Sequence, residues 1–456
     1  MIDSKILRSK HPVFTYQSFN YKEVGNEIHL QFFYHLAPSF PFVHTLRIGL
    51  PDSYRKKDLK QFEAIIFHIG LVDMFSYWKS AISSHIVVEA GNLEQAQIDW
   101  ITNLLINGMG EFFYRNSIDF TQPNFVSITS QSSHSHSVFS ADIPNKYLVP
   151  IGGGKDSLVS LKIISEQNFP YACLFINPNP AMKAIETIIQ VDSVTVKRIL
   201  DPELFRLNDQ GYLNGHTPFS ASIACISLLC GVLFNCNSVL VSNERSSNEG
   251  NALYKNHDIN HQYSKTFAFE KTFNTYAKSY LSKNSSYISF LRPLYELQIS
   301  RIFSEFHEYF STFKSCNIGR GKEWCGNCSK CLFVYLSLFP FVADNQLLTI
   351  FSKDLLSDTK LIPTLDALVG KTDVKPFECV GTREEVVVSL YLAIEKNRKK
   401  QSDLLPLLYY AKHTLLVGQV DLEKRSETLL RSWNQEHNLS EKLTTVLKEY
   451  SHNEIT

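Results

Sequence analysis

Val149-Pro150-Ile151-Gly152-Gly153-Gly154-Lys155-Asp156-Ser157 begins inside a short apolar run, Tyr147–Ile151, and leads into a helical pattern from Ser157 to Gln167. Glycines lack a β-carbon, so their backbone N–H groups can approach an anion closely. A helix N-terminus adds partial positive charge at the same point. Lys155 can neutralise phosphate, Ser157 can donate its hydroxyl, and Asp156 can hold Mg²⁺ on the phosphates. The glycine spacing fits neither a Walker A loop nor the dinucleotide fingerprint. The segment predicts strand, anion-binding turn and helix, in that order.

Beyond the turn, strands alternate with helices. Strands are expected at Tyr171–Asn177, Ser193–Leu200 and Ser238–Ser242, and helices at Ala181–Ile189 and Phe219–Asn235. Apolar strands separated by helices predict an α/β fold whose parallel sheet is covered on both faces. In such sheets ligands sit beyond the carboxyl ends of the strands. The polar run Asn243-Glu244-Arg245-Ser246-Ser247-Asn248-Glu249-Gly250-Asn251 would lie there. Glu244 and Glu249 can bind Mg²⁺ or move protons, and Arg245 can grip a carboxylate or phosphate in bidentate fashion. His216, in Asn214-Gly-His-Thr-Pro218, is either an acid/base group or a residue at a helix start. Arg292 and Arg301 are weaker candidates for phosphate contacts.

The flanks read differently. Phe14–Tyr21 and Glu27–Tyr34, separated by Val24-Gly25-Asn26, predict a hairpin, with a third strand at Val43–Leu50. Lys57–Lys79 and Leu93–Ile106 carry apolar residues at helical spacing. The aromatic stretch His68–Lys79 is expected in the core rather than around a ligand. The polar segment Thr129–Ser137 marks a boundary, and its His134 and His136 stand without supporting ligands. Three regions are therefore expected: an N-terminal α+β domain over 1–145, a nucleotide-binding domain over 146–338, and a mainly helical region over 339–456. Helices in the last region are expected at Arg383–Lys396, Ser402–Leu416 and Leu422–Tyr450.

Composition narrows the class. At 456 residues, about 150 per domain predicts roughly three domains. The 44% hydrophobic and 20% charged residues belong to an ordered globular chain. With 45 Lys plus Arg against 45 Asp plus Glu, the basic excess of a nucleic-acid enzyme is missing. The polar N-terminus predicts no signal peptide, and Ala221–Phe234 is too short to span a bilayer. A cytoplasmic protein is expected. Nine cysteines without a secretion signal favour reduced thiols or metal ligands. Four of them, Cys316, Cys325, Cys328 and Cys331, form a cluster containing two Cys-x₂-Cys steps. Four thiolates so spaced predict a structural Zn²⁺ site, with an iron–sulfur cluster as the rival. Cys173, Cys225, Cys230, Cys236 and Cys379 are expected to pack as small hydrophobes.

The glycine turn resembles the pyrophosphate (PP) loop of the ATP pyrophosphatase superfamily, usually written Ser-Gly-Gly-x-Asp-Ser, with Gly152 in place of the leading Ser. The resemblance implies ATP cleavage between the α and β phosphates, with an oxygen of the substrate adenylated. Together with Gly215-His216-Thr-Pro218, Ser242–Asn251, Trp324-Cys-Gly-Asn-Cys-Ser-Lys-Cys-Leu-Phe-Val334, Lys375-Pro-Phe-Glu-Cys-Val-Gly-Thr382 and Ser76-Tyr-Trp-Lys79, the chain is similar to the bacterial UDP-N-acetylmuramoyl-L-alanyl-L-glutamate epimerases.

That likeness implies inversion of a terminal glutamate through an acyl-adenylate, releasing AMP and pyrophosphate for peptidoglycan synthesis. Gly152, Gly153, Gly154, Lys155 and Ser157 would hold the phosphates and Asp156 would assist Mg²⁺. Glu244, Arg245 and Glu249 would serve Mg²⁺ or substrate, and His216 would carry a proton. The competing readings are a related enzyme making an amide or nitrile, as in queuosine biosynthesis (where similar cysteine spacing holds zinc), a tRNA-modifying enzyme, and a binding module without turnover.

Overall fold

The computed structural model describes residues 2–51 and 53–452. Twelve strands are present among them: β1 (Val13–Val24), β2 (Glu27–Leu36), β3 (Phe40–Gly49), β4 (His85–Val88), β5 (Ser127–Ser130), β6 (Tyr147–Pro150), β7 (Tyr171–Ile176), β8 (Ser193–Ile199), β9 (Ser238–Val241), β10 (Ala252–Tyr254), β11 (His257–Ile259) and β12 (Ser286–Ser289). Ten form one sheet in the order β12-β9-β6-β7-β8-β3-β2-β1-β4-β5, while β10 and β11 pair by themselves.

The five strands from β12 to β8 run parallel. β3 then joins β8 antiparallel, and β3, β2 and β1 form an antiparallel meander. β4 and β5 follow in parallel beside β1. The class is α/β, with a largely parallel sheet and a helical C-terminal region. The predicted hairpin is present: Val24 faces Glu27 across the turn, and Gly25 takes the left-handed conformation at φ +59°.

Helices Glu63–Asp73 and Phe219–Leu233 pack together, each almost wholly buried. Lys155–Glu166, Glu296–Phe303, Ser329–Leu338 and Arg383–Lys399 share a second apolar core. The aromatic stretch His68–Lys79 lies in the core, as expected.

Two sequence expectations need correction. The pattern Leu422–Tyr450 is two helices, Leu422–Arg431 and Glu441–His452. The intervening chain is extended because tertiary partners compete with helical ones: Asn434 N–H donates to the Pro293 carbonyl, and Gln298 donates to that of Ser432. The Ser402–Leu416 pattern is a shorter helix, Pro406–Tyr410, widening into a π-helical turn. β4, β5 and β12 have only four residues each, too few to show a period.

Buried charge joins the two parts of the sheet. Asp73, fully buried at the end of Glu63–Asp73, meets His44 of β3 at 3.0 Å, Arg198 of β8 at 3.1 Å and the Ser222 hydroxyl at 2.6 Å. Burial pushes the Asp73 carboxyl up, but Arg198 and His44 outweigh it and hold the group well below the usual carboxylate range. A carboxylate depressed by folding contributes stability above its unfolded pKa, about 3.9, and loses it as pH falls toward the folded value. Asp73→Ala should therefore cost about 3–5 kcal/mol at neutral pH by leaving Arg198 unpaired in the interior. Urea unfolding measures this, and stability should be lost less steeply below pH ~4 in the variant than in wild type. Equal stability at both pH values would contradict the role.

Candidate active site

β6 is a switch point: the chain continues to β7 on one side, while β9 adds later on the other. Beyond the carboxyl ends of these strands lies a cavity of about 380 Å³, within the range of small-ligand sites. Gly152, Gly154, Asp156 and Ser157 line it, together with Lys265, Lys330 and Cys379. Gly153 adopts φ +83°, which favours glycine, and its carbonyl accepts from the Lys314 N–H at 2.9 Å. Gly154 stands at the start of helix Lys155–Glu166, where a β-carbon would crowd Ser315 at 3.2 Å. Ser157 is held inside the turn, accepting from the Gly152 N–H at 3.3 Å and donating to the Gly154 carbonyl at 3.0 Å. A β-carbon on Gly152 would meet nothing within 4 Å, so the missing serine leaves open space rather than a repacked wall.

Three carboxylates converge beside the turn. Asp156 follows β6, Glu244 follows β9, and Glu296 follows β12 at the start of its helix; one oxygen from each lies within 4.8 Å of the others. The Lys155 ammonium, almost fully buried, bridges Asp156 and Glu296. Burial and the Asp156 charge push Glu296 up to about 7. Glu244 is raised by burial, partly offset by Lys265. Burial also acts on Asp156, but Lys155 and Lys330 outweigh it and lower that group. Such a set can hold a divalent cation carried by phosphates. Glu296 has no local motif and was missed in sequence; its helix-start position after a strand was the available signal.

The other predicted residues separate. Arg245 lays its guanidinium 4.4 Å above the Tyr295 ring, and Glu249 pairs with the buried Lys375 at 2.9 Å and accepts the Arg383 N–H at 3.1 Å. Neither lines the cavity. His216 belongs to a second cluster, 3.5 Å from Glu111 and with its ring 4.5 Å from that of His261. Burial and His261 lower it to about 4, so it is neutral. Arg292 is wholly buried and spends its donors on the Glu244 and Lys265 carbonyls, while Arg301 donates to the Ser451 carbonyl; neither reaches the cavity. His134 and His136 lie beside Glu63, away from the glycine turn.

Cys379 departs from the apolar setting expected of it. Its sulfur accepts from Lys265 Nζ at 3.2 Å, and it borders the cavity. The four clustered cysteines do come together: Cys316–Cys328, Cys325–Cys331 and Cys328–Cys331 sulfurs are 3.9, 3.7 and 3.6 Å apart. A zinc tetrahedron with bonds of about 2.3 Å has edges near 3.8 Å. An iron–sulfur cluster, with its own iron and sulfide between the thiolates, would spread them wider. The knuckle also braces the cavity: Cys316 lines it, and Lys330, between Cys328 and Cys331, donates to the Cys379 carbonyl.

Glu249 clamps the segment that carries Cys379. Glu249→Ala should cost about 1–3 kcal/mol, because Lys375 is left buried without its partner. Thermal or urea unfolding reads the loss, and unchanged stability would remove the clamp.

Comparison with known proteins gives a consistent result. Residues 6–290 match the family model for the MurL N-terminal domain, and residues 312–420 match that for the MurL C-terminal domain. A protein of Xanthomonas oryzae pv. oryzae named UDP-N-acetyl-alpha-D-muramoyl-L-alanyl-L-glutamate epimerase is 34% identical over 324 residues, covering 70% of this chain and 71% of its own. Proteins of the same name from a Micromonospora species and from Salinispora tropica are 33% and 32% identical, covering 73% of this chain and 75% and 74% of theirs. With both domains present in order, the chain belongs to the MurL family.

Proposed function

We propose that this chain is an ATP- and Mg²⁺-dependent epimerase. It would convert the terminal L-glutamate of UDP-N-acetylmuramoyl-L-alanyl-L-glutamate to D-glutamate through an acyl-adenylate, releasing AMP and pyrophosphate, in the cytoplasm for peptidoglycan synthesis. The observation that carries this reading is the meeting, at one cavity, of the glycine turn, Asp156, Lys265 and Lys330, with Glu244 and Glu296 grouped with Asp156. The names of the relatives supply the substrate class.

The chemistry asks for such a site. An α-hydrogen beside a free carboxylate is barely acidic, because its removal would place two negative charges together. Esterifying the carboxylate to AMP removes one charge and lets the carbonyl accept the electron pair. Backbone N–H groups at 152–155 and the Ser157 hydroxyl would hold the phosphates at the helix N-terminus. Lys265 and Lys330 would offset the charge of departing pyrophosphate. Asp156, Glu244 and Glu296 would hold Mg²⁺, which supplies charge neutralisation on the phosphates. Burial, joined by the Asp156 charge, raises Glu244 and Glu296, and a bound cation would offset both.

The test is product analysis with ATP and the L-alanyl-L-glutamate precursor. AMP, pyrophosphate and the D-glutamyl form of the precursor should appear together, with deuterium entering the α position in deuterated water. Asp156→Ala should lower AMP release by at least ~100-fold. Full turnover in that variant would remove the glycine turn from the mechanism, and a nitrogen-containing product would favour an amide- or nitrile-forming enzyme.

We further propose that Cys316, Cys325, Cys328 and Cys331 hold a structural Zn²⁺, a reading supported by their sulfur spacing. Purified protein should carry one zinc per chain, and Cys328→Ser should lose the metal and melt at lower temperature. Iron and sulfide in equal amounts would contradict it.

A further inference from the structure

The reaction proposed above needs a group that removes the α-proton, and the lining of the cavity includes a thiol with a built environment. Cys379 lines the cavity that Gly152, Gly154 and Asp156 also line. Its sulfur accepts from Lys265 Nζ at 3.2 Å, and its carbonyl accepts from Lys330 Nζ. His261 is close enough to influence Cys379, and its Nδ1 is 2.5 Å from Glu111 Oε2. A carboxylate paired with an imidazole thus neighbours a thiol that borders the cavity. This order resembles an activated-nucleophile arrangement, with the base oriented by a third group.

Resting on the adenylation reading, we infer that Cys379 is a catalytic proton-transfer residue of the inversion, with His261 and Glu111 as the positioning pair that keeps its sulfur ionised. The α C–H bond breaks, the proton goes to the Cys379 sulfur, and the electron pair passes into the activated acyl carbonyl. The carbon then takes a proton on its opposite face from a second acid; solvent removes the proton from the Cys379 thiol and restores that acid, while His261 stays protonated beside the thiolate.

The surroundings support an ionised thiol. Burial pushes Cys379 up, but Lys265 and His261 outweigh it and bring it to about 5. Burial acts against the His261 cation too, yet Cys379 and Glu111 raise it to about 9. Cys173, Cys225, Cys230 and Cys236 are instead raised by burial, as inert packing thiols are.

The experiment separates two partial reactions in Cys379→Ser and Cys379→Ala. ATP–pyrophosphate exchange with the L-substrate reads adenylation; deuterium entry and inversion, from the L- and the D-epimer separately, read proton transfer. Pyrophosphate exchange should stay within about threefold of wild type, while inversion falls by at least ~100-fold, the scale of a lost general base. One epimer should still exchange its α-hydrogen with retention, using the opposite-face group. Inversion within tenfold of wild type, or loss of pyrophosphate exchange in the variants alone, would overturn the assignment. Wild-type protein that never exchanges pyrophosphate would instead refute adenylation, and this inference with it. Should both variants fail to fold, limited iodoacetamide treatment of wild type at mildly acidic pH decides: Cys379 should be alkylated ahead of Cys225 and Cys230, and equal labelling would overturn it.

Discussion

A lysine ammonium held out of water between two carboxylates is the constraint on which this site depends. Lys155 sits at the first turn of its helix with Asp156 and Glu296 against its nitrogen, and is only 3% exposed. Burying an ammonium costs several kcal/mol even after relaxation. One close carboxylate returns about 4 kcal/mol at the effective dielectric of a protein. A single partner is therefore marginal, and two are enough. Because Asp156 comes from the turn after β6 and Glu296 from the helix after β12, satisfying Lys155 ties the far edge of the parallel sheet to the glycine turn.

The same economy runs outward from that point. Glu244, after β9, completes the carboxylate group and faces Lys265, which in turn faces Cys379. Lys330 reaches Cys379 from the cysteine knuckle, and the knuckle's leading segment touches the glycine turn through Lys314 and Ser315. Charge alternates from group to group across the cavity. On the proposed reading, this pattern would let a polyanion and a divalent cation enter together without leaving an uncompensated charge.

Much of the fold was legible because its elements carry strong local signals. β6 to β9 and the helices Lys155–Glu166, Pro180–Ile188 and Phe219–Leu233 fall within a few residues of the ranges read from hydrophobic runs, whereas the short helix Pro202–Asp209 was not read. The glycine turn and the cysteine spacing were legible because each needs particular residue types at close intervals. Glu296, Lys265 and Cys379 were not, since each acquires its setting only when separate strands end side by side. Glu249 and Arg245 looked equivalent to Glu244 in sequence, but the short helical turn Arg245–Asn248 points them elsewhere. The break between Leu422–Arg431 and Glu441–His452 was hidden for a related reason: Pro293 and Gln298, far away in the chain, supply the partners that replace helical bonds.

The central claim is that the substrate carboxylate is esterified to AMP within this cavity. Labelling both oxygens of the terminal glutamate α-carboxylate with oxygen-18 tests it most directly. When water attacks the acyl carbon of the adenylate, the bridging oxygen departs with AMP. Mass spectrometry should then find one labelled oxygen in the AMP released per turnover. AMP free of label, with glutamate nonetheless inverted, would contradict the account.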